Sequence, residues 1–270
     1  IVDLPDFRKI HSLPIVRIGG MSIFSIFYLL LFIYISFLGI NPASNGVINS
    51  LYIILIGSFF YFLIGLHDDI FKSSPFLRLL LQFSIALAVS QYGINFGSIN
   101  FSIPYYGEIN ILLPNYLDNI ITSFWIVGIT NAINWIDGLD GLAAGYTSIL
   151  SMGLCVLMII KGNFIGILFF SLLLGSILGF LIRNFKPAYY IMGDCGSNFL
   201  GFCLSASSLV FLKDLKVDSI NFFFLILIFS LPIFDMLIVI AGRILRGKSI
   251  FHPDRSHFHH KLMDLNFNYK

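Results

Sequence analysis

Charge is scarce in this sequence. Only 11% of its 270 residues are Asp, Glu, Lys or Arg, whereas a soluble domain of this length carries roughly 25%. The composition therefore excludes a protein solvated mainly by water. With 57% apolar residues and a mean hydropathy of +0.91, the chain is suited to lipid. We expect a lipid bilayer as its environment and no nucleic-acid partner.

Cysteine is scarce as well. Cys155 and Cys203 lie in apolar runs, Cys195 lies beside a polar stretch, and no spacing suggests a disulfide or a zinc site. We interpret all three as reduced packing residues. Low-complexity tails and soluble segments are also lacking, so we expect one integral membrane domain over residues 1–270.

The sequence does contain long apolar runs. Eight are long enough to cross a bilayer, which takes about 17–25 residues: 20–40, 47–66, 76–93, 118–136, 143–160, 163–182, 194–212 and 220–241. Short stretches of Asn, Pro, Gly and Ser separate them as turns. We therefore predict an all-α, polytopic membrane helix bundle with about eight transmembrane helices.

The basic residues predict its orientation. If the eight runs span the bilayer, all but three of the 16 Lys and Arg residues fall on the side that holds the N-terminus. The exceptions are Lys161, Lys213 and Lys216. Cytoplasmic loops carry an excess of Lys and Arg, so we predict that this basic side is cytoplasmic.

Five polar stretches interrupt the apolar runs, and all five fall on the predicted cytoplasmic side. They are RKIHSLP near the start, HDDIFK around Asp68, NAINWIDGLDG at 131–141, MGDCGS around Asp194 and FHPDRSHFHH ending at His260. Ionisable groups near membrane depth are costly and are functional candidates by default. Their convergence would form an active site at a membrane surface.

Four oxygen-bearing side chains recur at intervals of three residues, namely Asn131, Asn134, Asp137 and Asp140. This spacing places them on one stripe if the backbone is helical. Carboxylate and amide oxygens suit a hard cation such as Mg²⁺ together with phosphate oxygens. The alternative is a capped loop between two spans.

Two further stretches carry carboxylates. Adjacent Asp68 and Asp69 repel each other and need a cation or a shared proton, although a solvated helix end is the alternative reading. Asp194 opens the seventh run, where Ser197 can cap the helix and the helix N-terminus can seat a phosphate.

The last stretch is rich in histidine, but no Cys or Glu stands at zinc-ligand spacing. Its Arg and His side chains fit better as donors to a pyrophosphate. All these pieces together predict metal-assisted phosphoryl transfer between a soluble nucleotide diphosphate and a membrane-held acceptor.

With these motifs in this order, the chain resembles the polyprenyl-phosphate N-acetylhexosamine-1-phosphate transferases. The similarity runs nearly end to end, from RKIHSLP and the glycines at 19–20 to PDRSHFHH at 253–260. The resemblance implies a glycosyl-1-phosphate transferase of the bacterial plasma membrane. It implies transfer of a HexNAc 1-phosphate from a UDP-HexNAc to undecaprenyl phosphate, with release of UMP and with Mg²⁺, or alternatively Mn²⁺, as the metal.

The resemblance also implies residue roles. Asp194 and Asn134 correspond to metal-binding positions. The catalytic positions are Asp68, Asp69, His257, His259 and His260. The substrate-binding positions are His11, Lys72, Asn131, Asp137, Asp140 and Arg255. We favour direct attack by the acceptor, because a phosphate monoester is already largely ionised near neutrality.

Two other functions stay open. In the peptidoglycan branch, phospho-N-acetylmuramoyl-pentapeptide transferase, three histidines are usually consecutive, whereas Phe258 here separates His257 from the following pair. This split favours a UDP-N-acetylglucosamine-type donor. A transporter would instead place polar groups near mid-membrane in broken helices. The family has about one more span before residue 1 and about two after residue 270, so the resemblance implies a core that lacks terminal helices. A homodimer is left open.

Overall fold

The computed structural model describes residues 2–3, 15–38, 46–103, 107–185, 187–213, 219–247 and 249. One helix covers most of each of the first seven predicted runs, whereas two helices divide the eighth, and this confirms a mainly helical protein. The helices are α1 (Gly19–Leu38), α2 (Gly46–Phe71), α3 (Pro75–Gln91), α4 (Asn115–Ile136), α5 (Leu142–Lys161), α6 (Phe164–Asn184), α7 (Gly193–Phe211), α8 (Phe222–Ile228) and α9 (Ser230–Leu245).

In the described part of the chain, four helices, α1, α2, α5 and α6, are long and apolar enough to cross a membrane, as expected for a multi-pass membrane protein. Helices α8 and α9 add a fifth span if they are one span bent by 80°. The predicted count of about eight spans is therefore not confirmed. Helix α3 has only 17 residues, and α4 and α7 carry many Asn, Asp, Ser and Thr side chains that lower their hydropathy.

Helix α7 lies at the centre of the bundle. Every residue of α7 except Asp194 and Val210 is buried, and α7 packs against α1, α2 and α4. Neighbouring helices rather than lipid surround its serines and its one asparagine, Asn198. Because those neighbours can satisfy polar side chains, a central helix does not need an apolar surface.

Glycines allow the backbones around α7 to approach closely. A Cβ atom on Gly20 of α1 would lie 2.3 Å from the backbone nitrogen of Gly196 on α7. Only a residue without a side chain fits at such a distance. The first turns of α1 and α7 are thus held in direct backbone contact.

Short strands complete the fold. Strands β1 (Val2–Asp3) and β2 (Ile15–Val16) pair antiparallel. Strand β3 (Ser98–Ile103) pairs antiparallel with β4 (Gly107–Leu112) and parallel with β5 (Ser219–Asn221). Strands β3 and β4 follow α3 at the end of the bundle away from Asp68, between the third and fourth predicted runs. Strand β5 overlaps the start of the eighth run, which the sequence predicted as part of a helical span.

Candidate active site

The turn between α2 and α3 brings Asp68 beside an arginine. After α2 ends at Phe71, the chain reverses within three residues and Ser74 caps α3 by accepting a hydrogen bond from the Leu77 backbone N–H at 3.3 Å. Arg78, one turn into α3, donates from Nη1 to Asp68 Oδ2 at 2.6 Å. Asp68 is 9% exposed, so this ion pair is largely shielded from water.

Arg78 also links Asp68 to the start of α7. Its Nη1 lies 3.6 Å from Asp194 Oδ2, and the Asp68 and Asp194 side chains are close enough to interact directly. The other Asp194 oxygen, Oδ1, accepts a hydrogen bond from Asn134 Nδ2 at 2.9 Å. Asn134 Nδ2 also donates to Ser197 Oγ at 2.8 Å. The structure thus brings Asp68, Asn134 and Asp194, from three of the five predicted stretches, together.

Asp69 has a different environment from Asp68. Its Oδ1 and Oδ2 accept hydrogen bonds from the backbone N–H groups of Asp194 and Cys195, both at 3.0 Å, and Arg17 Nη1 donates to its Oδ1 at 3.1 Å. Asp69 therefore caps the N-terminus of α7 from a neighbouring helix. Gly193 is required there, because its φ is +77° and a Cβ would lie 2.8 Å from Asp69 Oδ2.

This capping differs from the sequence prediction in two respects. Ser197 does not cap α7, since its hydroxyl donates to the Gly193 carbonyl at 3.2 Å and accepts from Asn134. Two of the N–H groups expected to seat a phosphate are bound to the Asp69 carboxylate instead. A carboxylate from another helix, distant in sequence, has taken the place of the predicted local cap and anion.

The predicted stripe on α4 is divided because the helix ends at Ile136. Asp137 follows as its C-cap, and burial, followed by the negative charge of Asp194, raises the pKa of the Asp137 carboxyl to about 7. The charge of Arg17 acts in the opposite direction. The negative charges of Asp194 and Asp69 thus act on Asp137, which is partly protonated near neutral pH.

The other predicted substrate-binding residues are placed as follows. Asp140 is exposed and its Oδ2 accepts from the Ala188 backbone N–H at 3.2 Å. Asn131 is 7% exposed and its amide donates to Gln82 Oε1 at 2.7 Å. Lys72 is exposed at the end of α2 with a φ of 51°, which is uncommon for a residue other than glycine. Their roles in substrate binding stay predictions.

Five predicted site residues lie outside the described residues: His11, Arg255, His257, His259 and His260. The structure therefore describes the carboxylate and amide part of the predicted site. Two arginines in that part, Arg17 and Arg78, were counted from sequence only as basic residues of the cytoplasmic side. Arg78 could have been found from its place one turn after the tight α2–α3 reversal, which sets it beside the end of α2.

The charges of the site favour a cation. The four carboxyl groups, which we call the carboxylate cluster, are Asp68, Asp69, Asp137 and Asp194. Among the residues that the structure describes, the guanidinium groups of Arg17 and Arg78 face them. Carboxylates held this close repel one another unless a cation or a proton compensates. The excess of negative charge and the oxygen-rich donor set fit one divalent cation.

Within the described parts of the chain, no group of three or more His, Cys, Asp or Glu side chains is arranged to hold a metal ion by itself. Mg²⁺ is usually held by one or two carboxylates together with waters and substrate phosphates. Asp194 and Asn134 are consistent with that kind of site, in which the substrate completes the coordination.

Comparison with known proteins identifies the family. Residues 51–212, which contain the carboxylate cluster, match the family model described as Glycosyl transferase family 4. The chain belongs to this family. The whole chain is also 36% identical to a probable undecaprenyl-phosphate N-acetylglucosaminyl 1-phosphate transferase of Bacillus subtilis (strain 168) and covers 71% of that relative.

Two further relatives show which kinds of transferase this chain is similar to. A decaprenyl-phosphate N-acetylglucosaminephosphotransferase of Mycobacterium leprae is 29% identical over the whole chain, which covers 71% of that protein. A phospho-N-acetylmuramoyl-pentapeptide-transferase of Lactiplantibacillus plantarum is 36% identical, but over only 51% of this chain and 41% of the relative. The similarity to N-acetylglucosaminyl 1-phosphate transferases therefore extends much further along the chain.

Proposed function

We propose that this protein transfers N-acetylglucosamine 1-phosphate from UDP-N-acetylglucosamine, or a closely related UDP-HexNAc, to undecaprenyl phosphate and releases UMP. The proposal depends on one observation, the carboxylate cluster. In this member of the family, the ends of α2 and α4 and the start of α7 bring the cluster together at one end of the bundle. The full-length relatives are named as transferases with a polyprenyl phosphate and an N-acetylglucosaminyl 1-phosphate, and this supports the choice of substrates.

The reaction joins two phosphates. An oxygen of the acceptor phosphate attacks the phosphorus that carries the sugar, and the bond from that phosphorus to the oxygen of UMP breaks. The acceptor is already largely ionised near neutrality, so the protein needs mainly to position the two substrates and to neutralise their charge. Arg78 lies between Asp68 and Asp194, so its positive charge is available to neutralise the phosphates of the two substrates.

A divalent cation, Mg²⁺ or Mn²⁺, would be held by Asp194 and Asn134. Bound there, it would supply positive charge to the diphosphate of the donor. Asp137, whose pKa is raised to about 7, would be drawn toward its ionised form by such a cation, because a nearby opposite charge favours the carboxylate.

The membrane position follows from the basic residues. Arg17, Arg78 and Asp69 mark the end of the bundle at which the site lies, and this is the end to which the sequence pattern assigns all but three of the 16 Lys and Arg residues. By the positive-inside rule we place the site at the cytoplasmic face of the bacterial plasma membrane. Starting an envelope glycan there is consistent with a soluble nucleotide sugar as donor.

The peptidoglycan reaction is the second candidate. The Lactiplantibacillus plantarum relative favours it over half of the chain. The split histidine motif around Phe258 and the longer similarity to the N-acetylglucosaminyl transferases favour the first candidate. A donor panel that includes UDP-N-acetylmuramoyl-pentapeptide separates the two.

The test uses the full chain in membranes that contain undecaprenyl phosphate. We expect label from UDP-[¹⁴C]N-acetylglucosamine to enter a butanol-extractable lipid, to be removed by added UMP, and to require Mg²⁺. Asp194→Asn should lower the initial rate by at least about 100-fold, because it removes the carboxylate that would hold the cation that neutralises the donor diphosphate. Protein amount and thermal unfolding are measured alongside.

Glu108→Gln is the matched control. It makes the same carboxylate-to-amide change in β4, whose sheet follows the end of α3 opposite to Arg78, and should leave the rate unchanged. Label transfer that survives Asp194→Asn would contradict the role of Asp194, and a wild-type protein that labels no lipid with any donor would contradict the proposed function.

A further inference from the structure

A chain of three buried amides joins α3, α4 and α7 beneath the carboxylate cluster. Asn131 Nδ2 donates to Gln82 Oε1 at 2.7 Å, and Gln82 Nε2 donates to Asn198 Oδ1 at 3.2 Å. Gln82 and Asn198 are fully buried, and Asn131 is 7% exposed. Gln82 uses both ends of its amide group, so it is the central member of the chain.

Each member lies one helical turn from a site residue. Gln82 follows Arg78 by four residues on α3, Asn131 precedes Asn134 by three on α4, and Asn198 follows Asp194 by four on α7. Residues three or four apart occupy the same face of a helix. The amide chain therefore repeats, one turn deeper in the bundle, the arrangement of Arg78, Asn134 and Asp194.

Gln82 also contacts the helix that carries Asp68. The hydroxyl of Tyr61 on α2 donates to the Gln82 backbone carbonyl at 2.8 Å, and Tyr61 is fully buried. Through its side chain and its backbone, Gln82 is thus hydrogen-bonded to α2, α4 and α7. These are the three helices that contribute the carboxylate cluster.

We propose that Gln82 is a positioning residue that fixes the rotation and register of α3, α4 and α7, so that Arg78, Asn134 and Asp194 meet. The expected effect of Gln82 on catalysis rests on the proposed function. The side-chain amide is required because it donates to Asn198 and accepts from Asn131 at once. An apolar side chain of similar length does neither, so the buried Asn198 Oδ1 loses this donor. Asn131 Nδ2 loses its bond to Gln82 and keeps the one to the Val127 carbonyl at 2.8 Å.

The test is Gln82→Leu in the full chain, with Gln91→Leu as matched control. Gln91 ends the same helix and is exposed, so the control makes the same chemical change outside the amide chain. At equal amounts of folded protein we expect Gln82→Leu to lower kcat by at least about tenfold while KM for the UDP-sugar changes less than about threefold. Gln91→Leu should match the wild type.

A second readout needs no turnover. Hydrogen exchange should become faster in peptides that contain Asp194 and Asn134, and should be unchanged in α5 and α6, because only the local register is released. A general loss of stability would instead accelerate exchange in all helices and leave the kcat of the folded fraction intact. Should Gln82→Leu not fold, Asn198→Leu removes only the donor contact of Gln82 and is read in the same way.

The results separate the two proposals. The positioning role would be overturned if the wild type is active and Gln82→Leu changes neither kcat nor the local exchange rate. The proposed function would then still stand. A wild type that transfers no sugar phosphate would overturn the proposed function. In that case the exchange of the Asp194 and Asn134 peptides alone decides whether Gln82 sets their register.

Discussion

Two adjacent aspartates show how much the surroundings of a residue decide. Both lie in the last turns of α2, yet Asp69 accepts two backbone N–H groups of α7, whereas Asp68 binds Arg78 and faces Asp194. A carboxylate whose oxygens are both engaged by backbone donors is a capping group. One that faces another carboxylate across an arginine is the better candidate for contact with substrate.

Exchanging each aspartate for asparagine should separate these roles. Asp69→Asn should lower the free energy of unfolding by about 1–2 kcal/mol, since one amide oxygen cannot replace two carboxylate oxygens as a cap. Asp68→Asn should lower the transfer rate by at least about 100-fold with a smaller loss of stability, because the relieved repulsion with Asp194 offsets the lost ion pair with Arg78. Thermal unfolding in detergent and the lipid-labelling rate measure the two effects.

Equal losses in both properties for both variants would contradict this division of roles. Glu108→Gln serves again as the control for the carboxylate-to-amide change. The comparison is informative because the two positions differ by one residue and the substitution is the same.

At the scale of elements, the separation of α2 and α7 determines whether the carboxylate cluster forms. Gly65 is the point of closest approach. A Cβ at Gly65 would lie 2.2 Å from the Asp194 carbonyl oxygen and 2.5 Å from Cys195 Cα. Both neighbours are backbone atoms, which cannot move aside as a flexible side chain can. Asp68 follows Gly65 on the same helix by three residues, so a displacement of α2 at Gly65 also moves Asp68.

Gly65→Ala should therefore force α2 and α7 apart. We expect a loss of about 1–3 kcal/mol in stability, typical of overpacking, and a transfer rate lowered by at least about tenfold, since small misplacements of reacting groups are costly. Gly175→Ala in α6 is the control, because its Cβ would meet no atom within 4 Å. It should be neutral or stabilising, as alanine favours helix over glycine. An active and stable Gly65→Ala would show that the contact between α2 and α7 does not set the site.

At the scale of the whole molecule, the sequence was sufficient to predict where the first seven helices lie and that the stretches around Asp68, Asn134 and Asp194 share one end of the bundle. Apolar runs bounded by Asn, Gly and Ser fix where helices begin and end. Alternation of polar loops then brings Asp68, Asn134 and Asp194 to one side. None of this requires knowledge of how the helices are rotated.

Features that depend on helix rotation and long-range pairing could not be predicted. The bonds from Asp69 to α7 and from Gln82 to Asn198 join residues more than 100 positions apart. They depend on close backbone contacts such as that at Gly65. The parallel pairing of β3 with β5 likewise joins distant segments. Helices α4 and α7 look weak as spans for a related reason, since their polar side chains face neighbouring helices rather than lipid.

The transmembrane topology of the chain depends on whether α3 crosses the bilayer. Its 17 residues make it about 25 Å long at 1.5 Å per residue, somewhat less than the roughly 30 Å hydrocarbon core. Polar residues at both ends, Ser74 and Asn95, would still reach the headgroups if the bilayer thins locally. If α3 crosses, Ser74 and the exposed Asn110 of β4 lie on opposite sides.

Substituted cysteines test this directly. In intact cells, a membrane-impermeant maleimide should label Asn110→Cys, and should label Ser74→Cys only after permeabilisation, because the positive-inside rule places the basic end in the cytoplasm. The wild-type protein is the control for background, since its three cysteines lie within helices. Labelling of both positions from the same side would mean that α3 does not cross. The carboxylate cluster could then no longer be assigned to the cytoplasmic face by counting spans.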